Sequence, residues 1–198
     1  MEFEKKDFEA AVQLWTEWNG KINVVSRKDI DNLYEHHILH SLAIAEYLSR
    51  KGVPVSGLKI LDVGCGGGFP GIPLAMAMPE AQFTLCDSIG KKVKVAQAVA
   101  DGLGLENVRC VNARAESLPD TYDWVVSRAV TSLDNFYPWV KGKFSKGILY
   151  LKGGDVNEEI ASMCGKCHVD PAKVSVWAID NWLDDEYFAE KFVIEIGK

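Results

Sequence analysis

The chain has 198 residues, enough for one substantial domain with a small helical addition, and its net charge of −6 excludes a surface that is basic throughout. Hydrophobic residues make up 47% of the sequence, but no apolar run approaches the roughly 18 residues of a membrane span, so the composition is that of a globular protein. The N-terminus lacks the apolar core of a signal peptide and the cysteine count of five is odd, which predicts a cytosolic protein without a disulfide framework.

Residues 1–57 predict an N-terminal helical extension packed on a core domain of residues 58–198. Apolar side chains recur there at helical spacing in two runs, Phe8, Ala11, Val12, Trp15 and Trp18, then Ile38, Leu42, Ala45 and Leu48. Both helices come before the first predicted strand, so they are not crossovers of the sheet. We interpret Trp15 and Trp18 as core anchors rather than as base-stacking platforms.

From Lys59 onward, short apolar strands alternate with helices. Strands are predicted at residues 59–63, 82–86, 107–111, 122–127 and 147–151. Helices are predicted from Pro70 to the stop at Pro79, over 91–103, up to Trp139 and near 156–164. Two late runs, 174–179 and 191–196, read as strands that pair antiparallel. The order predicts an α/β fold, a seven-stranded and mostly parallel sheet with helices on both faces.

The segment from Asp62 to Gly71 carries the strongest functional signal. An acid at the end of the first strand is followed by glycines at every second position, Gly64, Gly66 and Gly68. Glycine permits the sharp turn and the close approach of a ligand to the backbone, and the D-x-G-x-G-x-G form favours S-adenosylmethionine.

The same glycines allow other interpretations. Read from Gly66, they spell the dinucleotide fingerprint G-x-G-x-x-G through Gly71, although Pro70 and Pro73 fit that pattern poorly. A nicotinamide-dependent oxidoreductase, a binding module without catalysis and a turn without a ligand are the alternatives.

Charged residues follow the later strands. Asp87 closes the second strand and is suited to accept hydrogen bonds from ribose hydroxyls, or to stand as an acid before the next helix. Glu116 follows the third strand, where it would lie beside an adenine edge, and an ordinary solvated acid is the alternative. Arg128 ends the fourth strand and is suited to bind the carboxylate of a methyl donor or an RNA phosphate. Lys152 ends the fifth strand on the same rim, where ordinary solvation is the alternative.

The cysteines and the basic clusters carry weaker signals. Cys65, Cys86 and Cys110 are interpreted as small core residues. Residues 164–168 match a haem-attachment pattern, but without an export signal or two further zinc ligands they predict no haem and no metal. Basic residues cluster at three places and form either a local nucleic-acid patch or solvated helix ends: Lys21, Arg27 and Lys28; Lys91, Lys92 and Lys94; Lys141, Lys143 and Lys146.

Taken together, the motifs resemble the ribosomal RNA small subunit methyltransferase G family, also called glucose-inhibited division protein B. The resemblance runs from about Asn19 to Lys152 and rests on six segments: 23–26, 35–39, 62–71, 87–88, 114–116 and 127–129. It implies a class I methyltransferase fold and methylation of N7 of one guanine in 16S ribosomal RNA. S-adenosylmethionine would be the donor and S-adenosylhomocysteine the product. It further implies ribosomal RNA or the small ribosomal subunit as partner. From the composition we expect no membrane partner, and we expect a monomer.

Beyond the glycine loop and Asp87, the resemblance implies roles for individual residues. It implies donor contacts from five residues: Gly64, Phe69, Ala115, Glu116 and Arg128. It places Asn23 and His37 near the mouth of the active site, so that with Lys152 they are candidates for the substrate guanine. The sequence departs from the family at His40, where members commonly have an aspartate, and after Lys198, where many members carry a basic, proline-rich tail.

The chemistry so implied requires no general base. N7 of guanine has an available lone pair, so catalysis is expected from alignment, and we predict that Arg128→Ala loses activity through binding. His37 acting as a general base is the alternative, and His37→Ala is predicted to leave the fold intact.

Overall fold

The computed structural model describes residues 3–198. Its strands are β1 Lys59–Val63, β2 Gln82–Asp87, β3 Val108–Asn112, β4 Tyr122–Arg128, β5 Phe144–Gly153, β6 Val174–Ala178 and β7 Lys191–Gly197. Its α-helices are α1 Glu9–Lys21, α2 His40–Arg50, α3 Gly71–Ala77, α4 Gly90–Gly102, α5 Leu133–Val140 and α6 Asn157–Cys167. A π-helix, Tyr34–Leu39, leads directly into α2.

All seven strands form one sheet in the order β3-β2-β1-β4-β5-β7-β6. Strands β1 to β5 pair in parallel, and β7 pairs antiparallel with both β5 and β6. The predicted seven-stranded, mostly parallel sheet is thereby confirmed. Strands β2 and β3 follow on one side of β1, and β4 and β5 follow on its other side, so the strand order reverses between β1 and β4. Ligands of open α/β sheets bind at the carboxyl ends of the strands at such a reversal.

Helices cover both faces of the sheet because successive residues of each strand point to opposite sides. Ile60 of β1 packs in the core beneath α1 to α4, and the next residue, Leu61, packs in the core beneath α5 and α6. Tyr150 of β5 is fully buried in this second core.

The N-terminal segment is part of the first core. Helix α1 packs on α4, and α2 lies against α3 and against β5 and β7. Trp15 is fully buried, as predicted, whereas Trp18 is only half-buried, with Lys21 Nζ 4.8 Å from its ring centre. The π-helix before α2 was not predicted, because its apolar positions also fit an α-helical period.

The structure locates the five cysteines and the segment that matches a haem-attachment pattern. Cys65 and Cys86 are buried, Cys110 is partly buried, and all five cysteines are free. Helix α6 runs to Cys167, three residues beyond its predicted end near 164. Within residues 3–198, no group of His, Cys, Asp and Glu is arranged to hold a metal ion, and no helix combines the length and apolar character needed to cross a bilayer.

Candidate functional site

The glycine loop after β1 turns through left-handed backbone at Gly64 and Gly66, where φ is +71° and +55°. A Cβ on Gly64 would collide with the side chain of Val130, so both the space and the conformation require glycine. Above Gly66, a Cβ would meet no atom within 4 Å. The backbone of the loop is therefore open to a ligand on that side.

Asp62 supports the loop from below. Its side chain is fully buried, and its Oδ2 accepts a hydrogen bond of 2.7 Å from the backbone N–H of Gly71 at the start of α3. Burial raises the pKa of Asp62 to about 8, so the acid is mostly protonated at neutral pH. The residue that opens the glycine motif thus holds the helix and does not face a ligand.

One wall of the site comes from the N-terminal segment. Trp15 Nε1 donates to the carbonyl of Gly67 at 2.7 Å, and the indole stacks on Phe69 with ring centres 4.2 Å apart. Asn19 Oδ1 accepts from the backbone N–H groups of Val24 and of the next residue, at 2.8 and 2.9 Å, which fixes Val24 above Gly67. Sequence reasoning assigned Trp15 only to the core and gave Val24 no role of its own.

These elements enclose a cavity of about 530 Å³ at the carboxyl ends of β1, β2 and β4. All seven residues predicted to bind the methyl donor line it: Gly64, Gly66, Phe69, Asp87, Ala115, Glu116 and Arg128. None of the three candidates for the substrate guanine, Asn23, His37 and Lys152, belongs to the lining.

Asp87 is buried at the cavity, where it already organises the loop. Its Oδ2 accepts from the Gly66 N–H at 3.0 Å and its Oδ1 from the Ile89 N–H at 2.8 Å, just before α4 begins. Each carboxylate oxygen keeps a further lone pair for a ligand. Asp87 thus stands as an acid just before α4 without capping it, and this position is compatible with hydrogen bonding to a ribose. Glu116, in a short 3₁₀ turn after β3, is exposed.

Arg128 brings a guanidinium to the cavity wall. Its Nη2 donates to His37 Nδ1 at 2.7 Å, its Nη1 donates to the carbonyl of His36 at 3.1 Å, and it lies 5.2 Å from the ring centre of Phe69. Among the described residues, no carboxylate forms an ion pair with it. A guanidinium has five N–H donors, so three are left for a ligand.

The three substrate candidates lie outside the cavity for different reasons. His37 has both ring nitrogens occupied, by Arg128 and by Asp29 Oδ2 at 2.5 Å from Nε2, and burial lowers its pKa to about 4. Lys152 Nζ lies 2.7 Å from Glu159 Oε1. Asn23 is exposed beside the cavity residue Val24.

His40, the departure from the family pattern, is buried below this region. Its ring meets Tyr187 and Phe188 edge-on, with ring centres 6.1 Å apart in both pairs. Burial holds its pKa well below the usual value, so the ring is neutral. Its Nε2 has no hydrogen-bond partner among residues 3–198.

The loop between β4 and α5 forms the remaining edge of the cavity. Ala129 has a left-handed φ of +51°, which is uncommon for a residue other than glycine. The hydroxyl of Tyr150 accepts from the N–H groups of Val130 and Thr131, at 3.1 and 3.2 Å, and donates to the Thr131 carbonyl. Val130 is thereby presented on the cavity with 36% of its surface exposed.

The cavity fits S-adenosylmethionine in size and in the placement of polar groups. Its volume lies within the roughly 300–1,000 Å³ that small-molecule sites occupy. Asp87 offers acceptors for ribose hydroxyls, Arg128 offers donors for a carboxylate, and the backbone at Gly66 is open. Together, the sheet order and this cavity define a class I S-adenosylmethionine-dependent methyltransferase.

Solved methyltransferases share the architecture. The magnesium protoporphyrin IX methyltransferase (ChlM) of Synechocystis PCC 6803, solved with bound S-adenosylmethionine, superposes with a TM-score of 0.66 at 17% identity, covering 98% of this chain and 94% of that one. A precorrin-6y C5,15-methyltransferase from Geobacter metallireducens gives a TM-score of 0.57 at 13% identity, covering 89% and 91%. At these identities the likeness shows the fold.

The family follows from sequence comparison. A family model described as rRNA small subunit methyltransferase G matches residues 4–180, and this chain belongs to that family. The ribosomal RNA small subunit methyltransferase G of Cytophaga hutchinsonii is 48% identical, over 96% of this chain and 91% of the relative. The protein of that name from Porphyromonas gingivalis is 45% identical, over 98% and 86%. The family assignment decides against the oxidoreductase alternative.

Proposed function

We propose that this enzyme transfers the methyl group of S-adenosylmethionine to N7 of one guanine in 16S ribosomal RNA. One observation favours this chemistry: no histidine lines the cavity in the part of the chain described, and both nitrogens of the nearby His37 are occupied. A site without a free histidine base suits a nucleophile that needs no deprotonation, as N7 of guanine is.

The lining residues have matching roles toward the donor. Gly64 and Gly66 let the ligand approach the backbone, and Asp87 accepts from the ribose. The turn with Ala115 and Glu116 lies where the adenine would be read, and Arg128 binds the donor carboxylate. Phe69 closes the floor between Trp15 and Arg128.

When bound, S-adenosylmethionine supplies a methyl group on a positively charged sulfur. N7 then forms the new N–C bond with its lone pair while the S–C electron pair stays on sulfur, which leaves a thioether, and the positive charge passes to the purine. No proton moves in this step. The chain's contribution is alignment, which is worth up to roughly 7–11 kcal/mol when reactants are well oriented.

Apolar side chains at the rim suit the flat face of a purine. Ile89 and Val130 are exposed by 42% and 36%, and both line the cavity. Enzymes that act on a base take it out of its stack and hold it between apolar or aromatic groups. We assign the guanine to this rim, with Asn23 beside it. Lys152 supports this rim without contacting the guanine. Its Nζ donates to the Thr131 carbonyl at 3.0 Å and helps to fix the loop that carries Val130.

Two basic side chains at the cavity bind RNA phosphates. Lys92 and Arg114 line it, and neither forms an ion pair among the described residues. We further propose that the enzyme acts as a monomer in the cytoplasm, where its RNA substrate is made. The monomer is supported by the small number of large exposed apolar residues in the described chain, Ile89, Val130 and Val176, of which two belong to the cavity.

The test is transfer of labelled methyl from S-adenosylmethionine to small-subunit RNA from a strain that lacks this protein, followed by nucleoside analysis. Label in 7-methylguanosine is expected. Label in another nucleoside would overturn the guanine assignment, and donor binding without transfer would overturn the RNA substrate. Arg128→Ala is expected to weaken donor binding at least tenfold, about 1.4 kcal/mol, while the exposed Arg109→Ala serves as a charge-matched control.

A further inference from the structure

The geometry points to Asp29 as a positioning residue of the methyl-donor site: its carboxylate fixes the tautomer of His37, and His37 in turn holds the Arg128 guanidinium at the cavity wall. The inference rests on the proposed role of Arg128 toward the donor carboxylate. No contact of Asp29 with the donor is involved, since Asp29 does not line the cavity.

The hydrogen bonds that link Asp29, His37 and Arg128 are compatible with only one arrangement of protons. An arginine side chain has no acceptor, so the 2.7 Å contact requires that His37 Nδ1 is unprotonated and accepts from Arg128. The ring is neutral at pH 7, because burial lowers the pKa of His37 to about 4. Its single proton therefore sits on Nε2, which donates to Asp29 Oδ2 at 2.5 Å.

Asp29 is ionised in this arrangement. Burial acts to raise its pKa, but hydrogen bonds from His36 and His37 outweigh it and hold the pKa below its usual value. A carboxylate only accepts hydrogen bonds, so it selects the His37 tautomer with the proton on Nε2. The other tautomer would place a proton on Nδ1 and turn the contact with Arg128 into a clash of two donors.

A second path from the same carboxylate reaches the same guanidinium. Asp29 Oδ1 accepts from His36 Nδ1, and the backbone carbonyl of His36 accepts from Arg128 Nη1. Tyr187 completes this path, because its hydroxyl donates to the His36 carbonyl at 3.1 Å and its ring stacks on the imidazole with ring centres 3.6 Å apart. Both histidines belong to the π-helix, an element found frequently at functional sites.

Holding Arg128 through an imidazole has a chemical advantage over a direct ion pair. A carboxylate on the guanidinium would occupy the donors and neutralise the charge that a ligand carboxylate needs. With the neutral ring between them, Asp29 fixes the position of Arg128 and leaves its charge for the ligand.

The first test reads the tautomer in the donor-free protein by 15N NMR of His37 at pH 7. We expect a protonated Nε2 and an unprotonated Nδ1 in the wild type. In Asp29→Ala we expect a mixture of tautomers, because the His37 ring loses its second partner and no longer holds the contact with Arg128. The exposed Asp31→Ala removes the same charge two residues away and is expected to leave the spectrum of the wild type. A protonated Nδ1 in the wild type, or an unchanged tautomer in Asp29→Ala, would overturn the inference.

The second test measures S-adenosylhomocysteine binding by calorimetry. Asp29→Ala loses the charge-assisted hydrogen bond between Asp29 and His37, which predicts about tenfold weaker binding of S-adenosylhomocysteine. Asp31→Ala is expected to bind it with the affinity of the wild type. Donor KM is expected to rise while kcat stays within about threefold, because Asp29 acts through donor binding. Equal affinity in the two variants contradicts the inference. Neither the NMR nor the calorimetric measurement involves RNA, so failure of the proposed RNA substrate would appear only in the kinetic and transfer assays.

Discussion

Asp62 is an acid enclosed by apolar packing beneath the glycine loop. Its pKa of about 8, against an ordinary 3.8, means that the folded chain keeps a proton which the unfolded chain releases above pH 4. Stability falls with rising pH wherever the native state binds more protons, so Asp62 costs stability progressively from about pH 4 to pH 8. Its neutral form keeps the hydrogen bond that starts α3.

Asp62→Asn is expected to remove this dependence. The amide keeps an acceptor for the Gly71 N–H and never ionises, so the free energy of unfolding should fall less between pH 5 and pH 8 than in the wild type. In the wild type, Asp62 contributes at most about 1.4 kcal/mol per pH unit to the slope of the free energy of unfolding against pH, the value for one proton, and Asp62→Asn removes this contribution. Urea denaturation at both pH values measures it, with the exposed Asp120→Asn as control. Parallel pH profiles in Asp62→Asn and the wild type would contradict the assignment.

At the residue scale, the donor site was largely predictable and the supporting residues were not. Gly64, Asp87 and Arg128 stand at strand ends, and strand ends of a parallel sheet meet at one edge, so the sequence order alone brings them together. Asp29 and Tyr187 lie far apart in the chain and carry no motif. Only the docking of the π-helix on the segment before β7 joins them.

Among the elements, the loop between β4 and α5 is held by two side chains of β5, and the Tyr150 hydroxyl makes most of these contacts. The Tyr150 side chain is fully buried, with its ring edge-on to Phe136 at 4.7 Å between centres, and its hydroxyl meets three backbone groups of the loop. These contacts hold Ala129 in its left-handed conformation. The loop is therefore set by the neighbouring strand rather than by its own sequence.

Tyr150→Phe keeps the ring packing and removes the hydroxyl. The N–H groups of Val130 and Thr131 then lack their acceptor, which predicts a loss of about 1–3 kcal/mol in the free energy of unfolding. Methyl transfer should fall more than S-adenosylhomocysteine affinity, because Val130 lies at the rim assigned to the guanine. Denaturation, calorimetry and the transfer assay test this, with Tyr137→Phe on α5 as control. A transfer rate equal to that of the control would show that the loop needs no such support.

The alternation of strands and helices was predictable because each element has its own hydrophobic period. The π-helix and the Ala129 turn were not, since neither has a distinct period and alanine does not signal a left-handed residue. The fifth strand was predicted from Gly147, but it begins at Phe144, which pairs with Tyr122 across a register shift. Pairing with a neighbour, not local propensity, extends it.

At the scale of the whole molecule, the N-terminal extension and the sheet share one hydrophobic core. Leu42 and Leu48 of α2 are fully buried in the same cluster as Ile60 of β1 and Phe83 of β2. The sequence placed a boundary near residue 57, where the Lys51–Pro54 break and the first strand meet. We expect no independent unfolding at that boundary, because separating the two parts would expose this cluster.

Native-state hydrogen exchange tests the shared core. Amides of α2 are expected to exchange with the same opening free energy as those of β1, at the value of global unfolding. The C-terminal turn of α1, capped by Ile22 and half-exposed, provides an internal reference that opens more easily. A distinctly lower free energy for all of α2 would define the extension as a separate folding unit.

The contact between Tyr187 and His36 has a consequence for biosynthesis. Arg128, the glycine loop and the π-helix all precede Tyr187 in the chain, so the tyrosine that stacks on His36 is translated after all of them. Because chains fold from the N-terminus while they are made, the sheet is able to form around a donor site that still lacks one support. The site reaches its final form only when the C-terminal strands are free to add to the sheet. The support that Tyr187 gives to the donor site is thus added after the residues of the site itself have been made.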